Sequence, residues 1–108
     1  MRAESLEIDV AMIEFVERYA RTPIKWDIVA FFAENPYTRD TPTQIAGRIG
    51  RTVVGVSRDL DDLVLLGLLR RVRVEDEMIY QLASGSSTRE AVGHFAAVVE
   101  LSASADRR

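Results

Sequence analysis

Arginine is the side chain whose type and placement in this sequence point most clearly to chemistry. Lys25 is the only lysine among the 14 basic residues, and Arg48, Arg51, Arg58 and Arg71 follow one another closely. A guanidinium group offers a planar fork of donors that grips an anion or a base edge through two hydrogen bonds, which an ammonium group does not do. These four arginines are therefore the first candidate binding residues.

Other chemically active side chains are few. The chain has no cysteine and a single histidine, His94, which excludes a thiolate metal site and a thiol nucleophile. We expect His94 to be a packing or interface residue, because metal sites need several His, Cys or carboxylate ligands together. The acidic run 75–77 suggests no catalytic cleft. The sequence thus predicts neither an enzyme nor a metal site, and no cofactor.

Length and composition are those of one globular domain spanning residues 1–108. The 108 residues are 47% hydrophobic and 29% charged, a normal balance for a folded protein. No apolar stretch approaches the roughly 18 residues of a membrane span, and the N-terminus lacks the plan of a secretory signal. We therefore expect a cytoplasmic protein with no membrane partner. The net charge of −3 and the pI of about 5.1 exclude a protein that coats nucleic acid through bulk positive charge.

Residues 4–21 have the periodicity of a helix with two adjacent apolar stripes. Together the stripes cover about 220° of the helix, whereas one core needs roughly 100°. A chain of this size can hardly bury both, so we expect a homodimer. The residues of the two stripes are Leu6, Val10, Ile13, Val16 and Ala20, and Ile8, Met12, Phe15 and Tyr19.

Start and stop signals place three further helices in the segment 22–83. Thr22-Pro23 opens a helix over 23–34, which ends before Pro36. Thr41-Pro42-Thr43-Gln44 is a capping-box sequence that opens a helix over 42–49, closed by Gly50. Thr52 caps the next helix, 52–66, which Gly67 ends.

A β-hairpin and a last helix follow. Residues 68–74 and 78–82 are rich in β-branched and aromatic side chains and flank the polar connection Glu75-Asp76-Glu77, as in a hairpin. Ser87-Thr88-Arg89-Glu90 has the pattern of a capping box and predicts a helix over 87–103. The expected fold class is mainly α with a small β-hairpin (α+β).

The order of these elements resembles the winged helix-turn-helix transcription regulators of bacteria and archaea. The resemblance is carried by residues 45–50, by residues 56–63, and by Leu66-Gly67-Leu68-Leu69-Arg70-Arg71 where the second helix meets the wing. With its flanking helices the plan is most similar to the small MarR-like and ArsR-like repressors, whose flanking helices build a homodimer. The implied dimer interface comprises Leu6, Val10, Met12, Ile13, Phe15, Phe95 and Val99.

The resemblance also implies a partner, double-stranded DNA, and a role for individual residues. The helix 52–66 would enter the major groove of a pseudo-palindromic operator, with Asp61 among the residues that face the groove. Arg58 is the best candidate to recognise guanine, and Arg71 and Arg73 would lie on one face of the wing. The implied DNA-binding residues are Thr43, Gln44, Arg48, Arg51, Thr52, Val53, Val54, Ser57, Arg58, Arg71 and Arg73.

Charge in the segment 22–83 favours an alternative, a winged-helix protein-interaction module without DNA binding. This segment has eight basic and nine acidic residues, and the wing tip, Glu75-Asp76-Glu77, is acidic. Phosphate repels such a tip, and the exposed pair Val53 and Val54 equally suits a protein partner. A small-molecule effector bound between the dimer helices and the core is a further hypothesis, for which Tyr19, Trp26, Phe31 and Phe32 would supply aromatic surface.

Overall fold

A computed structural model describes the backbone of residues 2–106 and the side chains of residues 10–100. Within these residues the chain is mainly helical with one two-stranded hairpin, which confirms the expected fold class. The elements are, in order, α1 (Arg2–Tyr19), α2 (Pro23–Glu34), α3 (Pro42–Ile49), α4 (Val53–Leu65), β1 (Leu69–Val74), β2 (Glu77–Leu82) and α5 (Ser86–Asp106).

Side-chain caps set the starts of α2 and α3, as predicted. Thr22 Oγ1 accepts a hydrogen bond from the backbone N–H of Lys25 at 3.2 Å. At α3, Thr41 Oγ1 accepts from the N–H of Gln44 at 3.2 Å, and Gln44 Oε1 accepts from the N–H of Thr41 at 2.9 Å. This reciprocal pair satisfies donors that have no partner inside the helix, so both helices begin where the sequence indicates.

The turn between α3 and α4 depends on Gly50, whose φ of 72° is left-handed. An L-residue in this conformation costs about 1–2 kcal/mol, so glycine lets the chain reverse directly after Ile49. Thr52 then caps α4, with its Oγ1 accepting from the N–H of Gly55 at 3.4 Å.

The hairpin is anchored to the loop before α3. In its register Arg71 lies opposite Tyr80 and Val74 opposite Glu77. Glu77 therefore belongs to β2, and the turn is shorter than predicted. The backbones of Asp40 and Tyr80 bond to each other in both directions, at 3.2 and 2.9 Å, so the loop 35–41 is fixed against β2.

The core lies between α2, α4 and α5, with the base of the hairpin closing one side. α2 packs against both α4 and α5, and α3 packs against α4. Burying these apolar side chains supplies most of the driving force for folding. The largest fully buried side chains are Ile28, Val29, Phe32, Ile45, Val56, Leu60, Leu63, Leu68, Leu82 and Phe95.

The terminal helices differ from prediction at their ends. α1 stops at Tyr19 rather than at residue 21, because Thr22 precedes Pro23 and is extended, with φ −104° and ψ 159°. The capping box predicted at Ser87 is wrong, since α5 already begins at Ser86 and the N–H of Arg89 bonds to the carbonyl of Gly85 at 3.1 Å. No helix in residues 2–106 is both long and apolar enough to cross a membrane.

Candidate nucleic-acid interface

The helix α4 has one buried face and one exposed face. Val56, Leu60 and Leu63 are fully buried against the core. Val54 and Arg58 lie on the opposite side of the helix, because a step of about 100° per residue places them roughly half a turn from Val56. The N-terminal half of α4 therefore presents a surface that the chain itself leaves open.

The residues predicted to face the groove occupy this open surface to different degrees. Val54 is 80% exposed and Val53 is 41% exposed. Arg58 is exposed, and Ser57 is half-buried. Within residues 10–100 Arg58 forms no ion pair, so no carboxylate of these residues neutralises its guanidinium.

Two further residues predicted to contact DNA lie at the start of α3, and one of them, Gln44, also caps the helix. Thr43 and Gln44 are both exposed. The Oε1 atom of Gln44 is taken by the capping box, which leaves its amide NH₂ group as the available donor.

Arg48 and Arg51 each have a carboxylate partner. Arg48 Nη1 lies 3.6 Å from Asp40 Oδ2, and its guanidinium stands over the ring of Phe31 with 5.4 Å to the centroid. Arg51 donates from Nε to Asp27 Oδ2 at 2.8 Å, and its Nη2 lies 2.8 Å from the same oxygen. The second pair ties the turn between α3 and α4 to α2.

Asp61 links α4 to the hairpin. The sequence places it among the groove-facing residues, but its Oδ1 accepts from Arg71 Nη1 at 2.7 Å and from the hydroxyl of Tyr80 at 2.5 Å. Burial raises the pKa of Tyr80, and the hydrogen bond to Asp61 raises it further. Tyr80 and Asp61 together raise the pKa of Arg71. The cluster joins α4 to both strands of the wing, since Arg71 lies on β1 and Tyr80 on β2.

The end of the wing is exposed and acidic. Arg73 and the acidic residues 75–77 are all exposed. Glu75 adopts a left-handed φ of 56°. This backbone conformation is costly for an L-residue whose side chain does not bond to the local backbone, as those of Asn and Asp can.

The four arginines singled out by the sequence differ in whether a carboxylate pairs with them. Arg48, Arg51 and Arg71 are neutralised by Asp40, Asp27 and Asp61, whereas Arg58 has no such partner among residues 10–100. Exposed pairs of this kind contribute only about 0–1 kcal/mol each. The loose pair of Arg48, whose side chain is 57% exposed, is therefore easily exchanged for a phosphate, whereas the pairs of Arg51 and Arg71 have shorter contacts.

One exposed residue of α4 is missing from the sequence prediction. Leu65 is 85% exposed and lies on the same face as Val54 and Arg58, at helical spacings of eleven and seven positions. This spacing is visible in the sequence and could have identified it.

The predicted dimer residues separate into core and surface. Phe15 is 7% exposed and Phe95 is fully buried, with their rings 5.3 Å apart inside the chain. Met12 and Val99 pack against the same core. Val10 and Ile13 are 53% and 56% exposed, and the side chain of Leu6 lies outside the described residues. Among the α1 side chains that the structure describes, residues 10–19, the exposed apolar stripe is thus Val10 and Ile13.

A groove of about 360 Å³ runs between α1 and α5. Its walls are mostly apolar and include Met12 and Phe15, with His94 and Glu90 on the α5 side. The aromatic residues Phe31 and Phe32, considered above for an effector pocket, are instead buried in the core. Within residues 10–100 no three His, Cys, Asp or Glu side chains form a group that could hold a metal ion.

No protein-family model matches the chain. A search of curated proteins likewise finds no match.

Solved structures do match. The homodimeric winged helix-turn-helix DNA-binding domain of Mb0332 from Mycobacterium bovis is 19% identical, with 95% of this chain and 84% of that chain covered and a TM-score of 0.60. The transcriptional repressor BigR from Xylella fastidiosa is 16% identical, with coverages of 91% and 96% and a TM-score of 0.63. A predicted DNA-binding transcriptional regulator from E. coli is 13% identical, with coverages of 91% and 99% and a TM-score of 0.64.

The chain has a winged helix-turn-helix fold. In this winged helix, α3 and α4 are the helix-turn-helix, and β1 and β2 are the wing. The match confirms the fold expected from the sequence and does not separate a MarR-like from an ArsR-like relationship.

Proposed function

We propose that this chain is a homodimeric DNA-binding transcription regulator that recognises a pseudo-palindromic operator with the helix 52–66. The observation that carries the proposal is the open outer face of α4, where Val54 is 80% exposed and Arg58 is free of carboxylate partners within residues 10–100. In a helix-turn-helix the second helix enters the major groove. The likeness to DNA-binding regulators supports the same assignment.

Base recognition falls to the first two turns of α4. The unpaired guanidinium of Arg58 can donate two bonds to guanine O6 and N7, a contact that discriminates against other bases by about 1–3 kcal/mol. The exposed methyl groups of Val53 and Val54 are suited to thymine methyl groups. Ser57, on the flank of the same face, is a short donor or acceptor for a neighbouring base.

Phosphate contacts come from both sides of α4. Arg48 near the end of α3 and Arg73 on the wing are exposed, and the weak contact of Arg48 to Asp40 is readily replaced. Arg51 and Arg71 remain with Asp27 and Asp61, where they fix the shape of the interface. The acidic tip, with Glu75 at its turn, stays outside the minor groove because phosphate repels it.

The dimer contact is proposed on the stripe of α1 that residues 10–100 leave exposed. Val10 and Ile13 lie three positions apart on one side of α1 and are each more than half exposed. In the proposed dimer a second copy covers them by a two-fold contact, and the two α4 helices would recognise half-sites about 34 Å apart. The Mycobacterium bovis domain of the same fold is a homodimer.

The dimer is tested by light scattering at micromolar concentration. The unaltered chain is expected to have twice the monomer mass, and Ile13→Glu to be monomeric, because a charge at the interface costs several kcal/mol. Glu14→Ala, on a neighbouring exposed position, is the matched control and is expected to stay dimeric. A monomeric mass for the unaltered chain contradicts the proposed assembly.

DNA binding is tested by fluorescence anisotropy with a random-sequence duplex. Arg48 and Arg73 of two protomers supply four phosphate contacts, so affinity is expected to fall by about a hundredfold between about 50 and 200 mM salt. No binding at the lower salt would contradict the proposal. It would favour the protein-interaction module, for which the exposed Val54 and Leu65 would be the contact surface.

A further inference from the structure

A small recess lies at the base of the wing, away from the proposed DNA contacts. It has a volume of about 180 Å³ and lies between the loop before α3, the end of β2 and the first turn of α5. Gln81, in its wall, is five positions from the turn residue Asp76, which is roughly 17 Å along an extended strand. The residues that line it are Pro36, Tyr37, Thr38, Arg39, Gln81, Leu82 and Arg89.

Arg39 and Arg89 give this recess a positive charge, and no ion pair among residues 10–100 cancels it. Arg39 Nε donates to Gln81 Oε1 at 2.8 Å, so a neutral amide orients the guanidinium and leaves its terminal NH₂ groups free. Within residues 10–100 neither Arg39 nor Arg89 forms an ion pair. The nearest carboxylate in sequence, Asp40, is engaged by Thr38 Oγ1 at 3.0 Å and by Arg48. This contrasts with Arg48, Arg51 and Arg71, which all have carboxylate partners.

An exposed aromatic ring stands beside the two arginines. Tyr37 is 84% exposed, and the guanidinium of Arg89 stands over its ring, with 5.5 Å to the centroid. The neighbouring Glu90 lines the groove between α1 and α5 instead, so its charge is directed away from the recess. Arg89 also lies in the first turn of α5, where the helix dipole favours an anion and no acidic residue opposes it.

We propose that this recess binds the phosphate group of a small phosphorylated ligand, with Arg39 and Arg89 as the phosphate contacts and Tyr37 as a stacking surface for an attached base. A guanidinium group matches the bidentate geometry of a phosphate, and two of them line this recess. Tyr37 is 84% exposed, so the face of its ring that Arg89 does not cover extends the site beyond the recess. A mononucleotide combines both parts.

The site is tested by two-dimensional ¹H–¹⁵N NMR titrations of the full chain with inorganic phosphate and with adenosine monophosphate, against chloride at equal ionic strength. Both ligands are expected to shift the amides of Tyr37, Arg39, Gln81 and Arg89 in a saturable way, with inorganic phosphate in the millimolar range. The nucleotide is expected to bind at least about fivefold more tightly because of stacking, and Tyr37→Leu to remove that gain.

Two arginine variants and one control locate the site. Arg39→Gln and Arg89→Gln are each expected to weaken phosphate binding by about tenfold or more, since each removes charge-assisted hydrogen bonds. Arg21→Gln, which changes an exposed arginine in the loop between α1 and α2, is expected to leave phosphate binding unchanged.

The same titrations can overturn the proposal. Absence of saturable shifts up to about 50 mM phosphate, or equal affinity in Arg39→Gln and Arg89→Gln, would do so. Shifts at these residues with duplex DNA but with neither small ligand would mean that the recess holds a backbone phosphate, and would also overturn it. A chain that binds phosphate here and no DNA would refute the proposed function but leave this site standing.

Discussion

Replacing Tyr80 by phenylalanine isolates one hydrogen bond in the cluster that joins α4 to the wing. Tyr80 is buried, with 3% of its surface exposed. Its hydroxyl donates to Asp61 Oδ1, which also accepts from Arg71. Phenylalanine keeps the ring and the backbone bonds to Asp40 and removes only the hydroxyl. The change therefore measures the contact itself.

The expected loss of stability is about 1 kcal/mol near neutral pH. A hydrogen bond to a charged group contributes about 1.5–3 kcal/mol, but the Asp61 side chain is 47% exposed. Water therefore solvates the carboxylate in the variant and reduces the loss.

The pH dependence has a definite sign. Burial first, and then the bond to Asp61, raise the pKa of Tyr80 above its usual 10.0, so the folded state holds this proton more tightly than the unfolded state. The stabilisation is complete below pH 10.0 and is lost as the pH rises through the raised pKa. The difference between the unaltered chain and Tyr80→Phe is therefore expected to be constant below about pH 9 and to shrink above pH 10.

The assay is urea unfolding at several pH values between about 7 and 11, followed by circular dichroism. Tyr37→Phe is the matched control, because Tyr37 is 84% exposed and its hydroxyl makes no hydrogen bond within residues 10–100. The control is expected to change the free energy of unfolding by less than about 0.5 kcal/mol. A Tyr80→Phe difference that is the same at pH 7 and pH 11 would refute the reasoning.

Three further predictions concern stability measured by the same urea unfolding. Gly47→Ala is expected to raise the free energy of unfolding by about 0.5–1 kcal/mol, because Gly47 is inside α3 and an added Cβ meets nothing within 4 Å. Gly50→Ala, at φ 72°, is expected to lower the free energy of unfolding by about 1 kcal/mol. A change of the same sign in both variants would contradict this reasoning. Glu75→Gly is expected to raise it by up to about 1 kcal/mol, because it relieves a left-handed side chain; no gain would show that the turn is unstrained. Thr41→Ala is expected to lower it by about 1 kcal/mol through loss of the capping box, and an unchanged value would mean that water replaces the cap.

Local signals in the sequence were sufficient to predict the central helices. Thr22 before Pro23, the pairing of Thr41 with Gln44, and Gly50 each act within four residues, so the bounds of α2 and α3 follow from short-range chemistry. The same kind of signal failed at Ser87, since α5 begins one residue earlier, at Ser86. There the N–H of Arg89 bonds to the backbone carbonyl of Gly85, so a capping pattern indicates that a helix can begin at a residue but does not fix that residue as its start.

The electrostatics of the candidate interface could not be predicted in this way. The partners Asp27 and Arg51 are 24 positions apart, and the hydroxyl of Tyr80 reaches Asp61 across 19 positions. Such pairs depend on how α2, α4 and the hairpin pack, which no local pattern specifies. The sequence therefore identified the arginines, and only the structure distinguished Arg58 from the arginines that have carboxylate partners.

The most direct test of the central claim is the affinity of Arg58→Ala for an operator selected from a random DNA library, measured by fluorescence anisotropy beside a scrambled duplex. Loss of the guanine contact is expected to weaken operator binding by about tenfold or more and scrambled-sequence binding much less. Arg21→Ala, an exposed arginine in the loop between α1 and α2, is expected to bind both duplexes like the unaltered chain. Operator binding by Arg58→Ala equal to that of Arg21→Ala would contradict the assignment of α4 as the recognition helix.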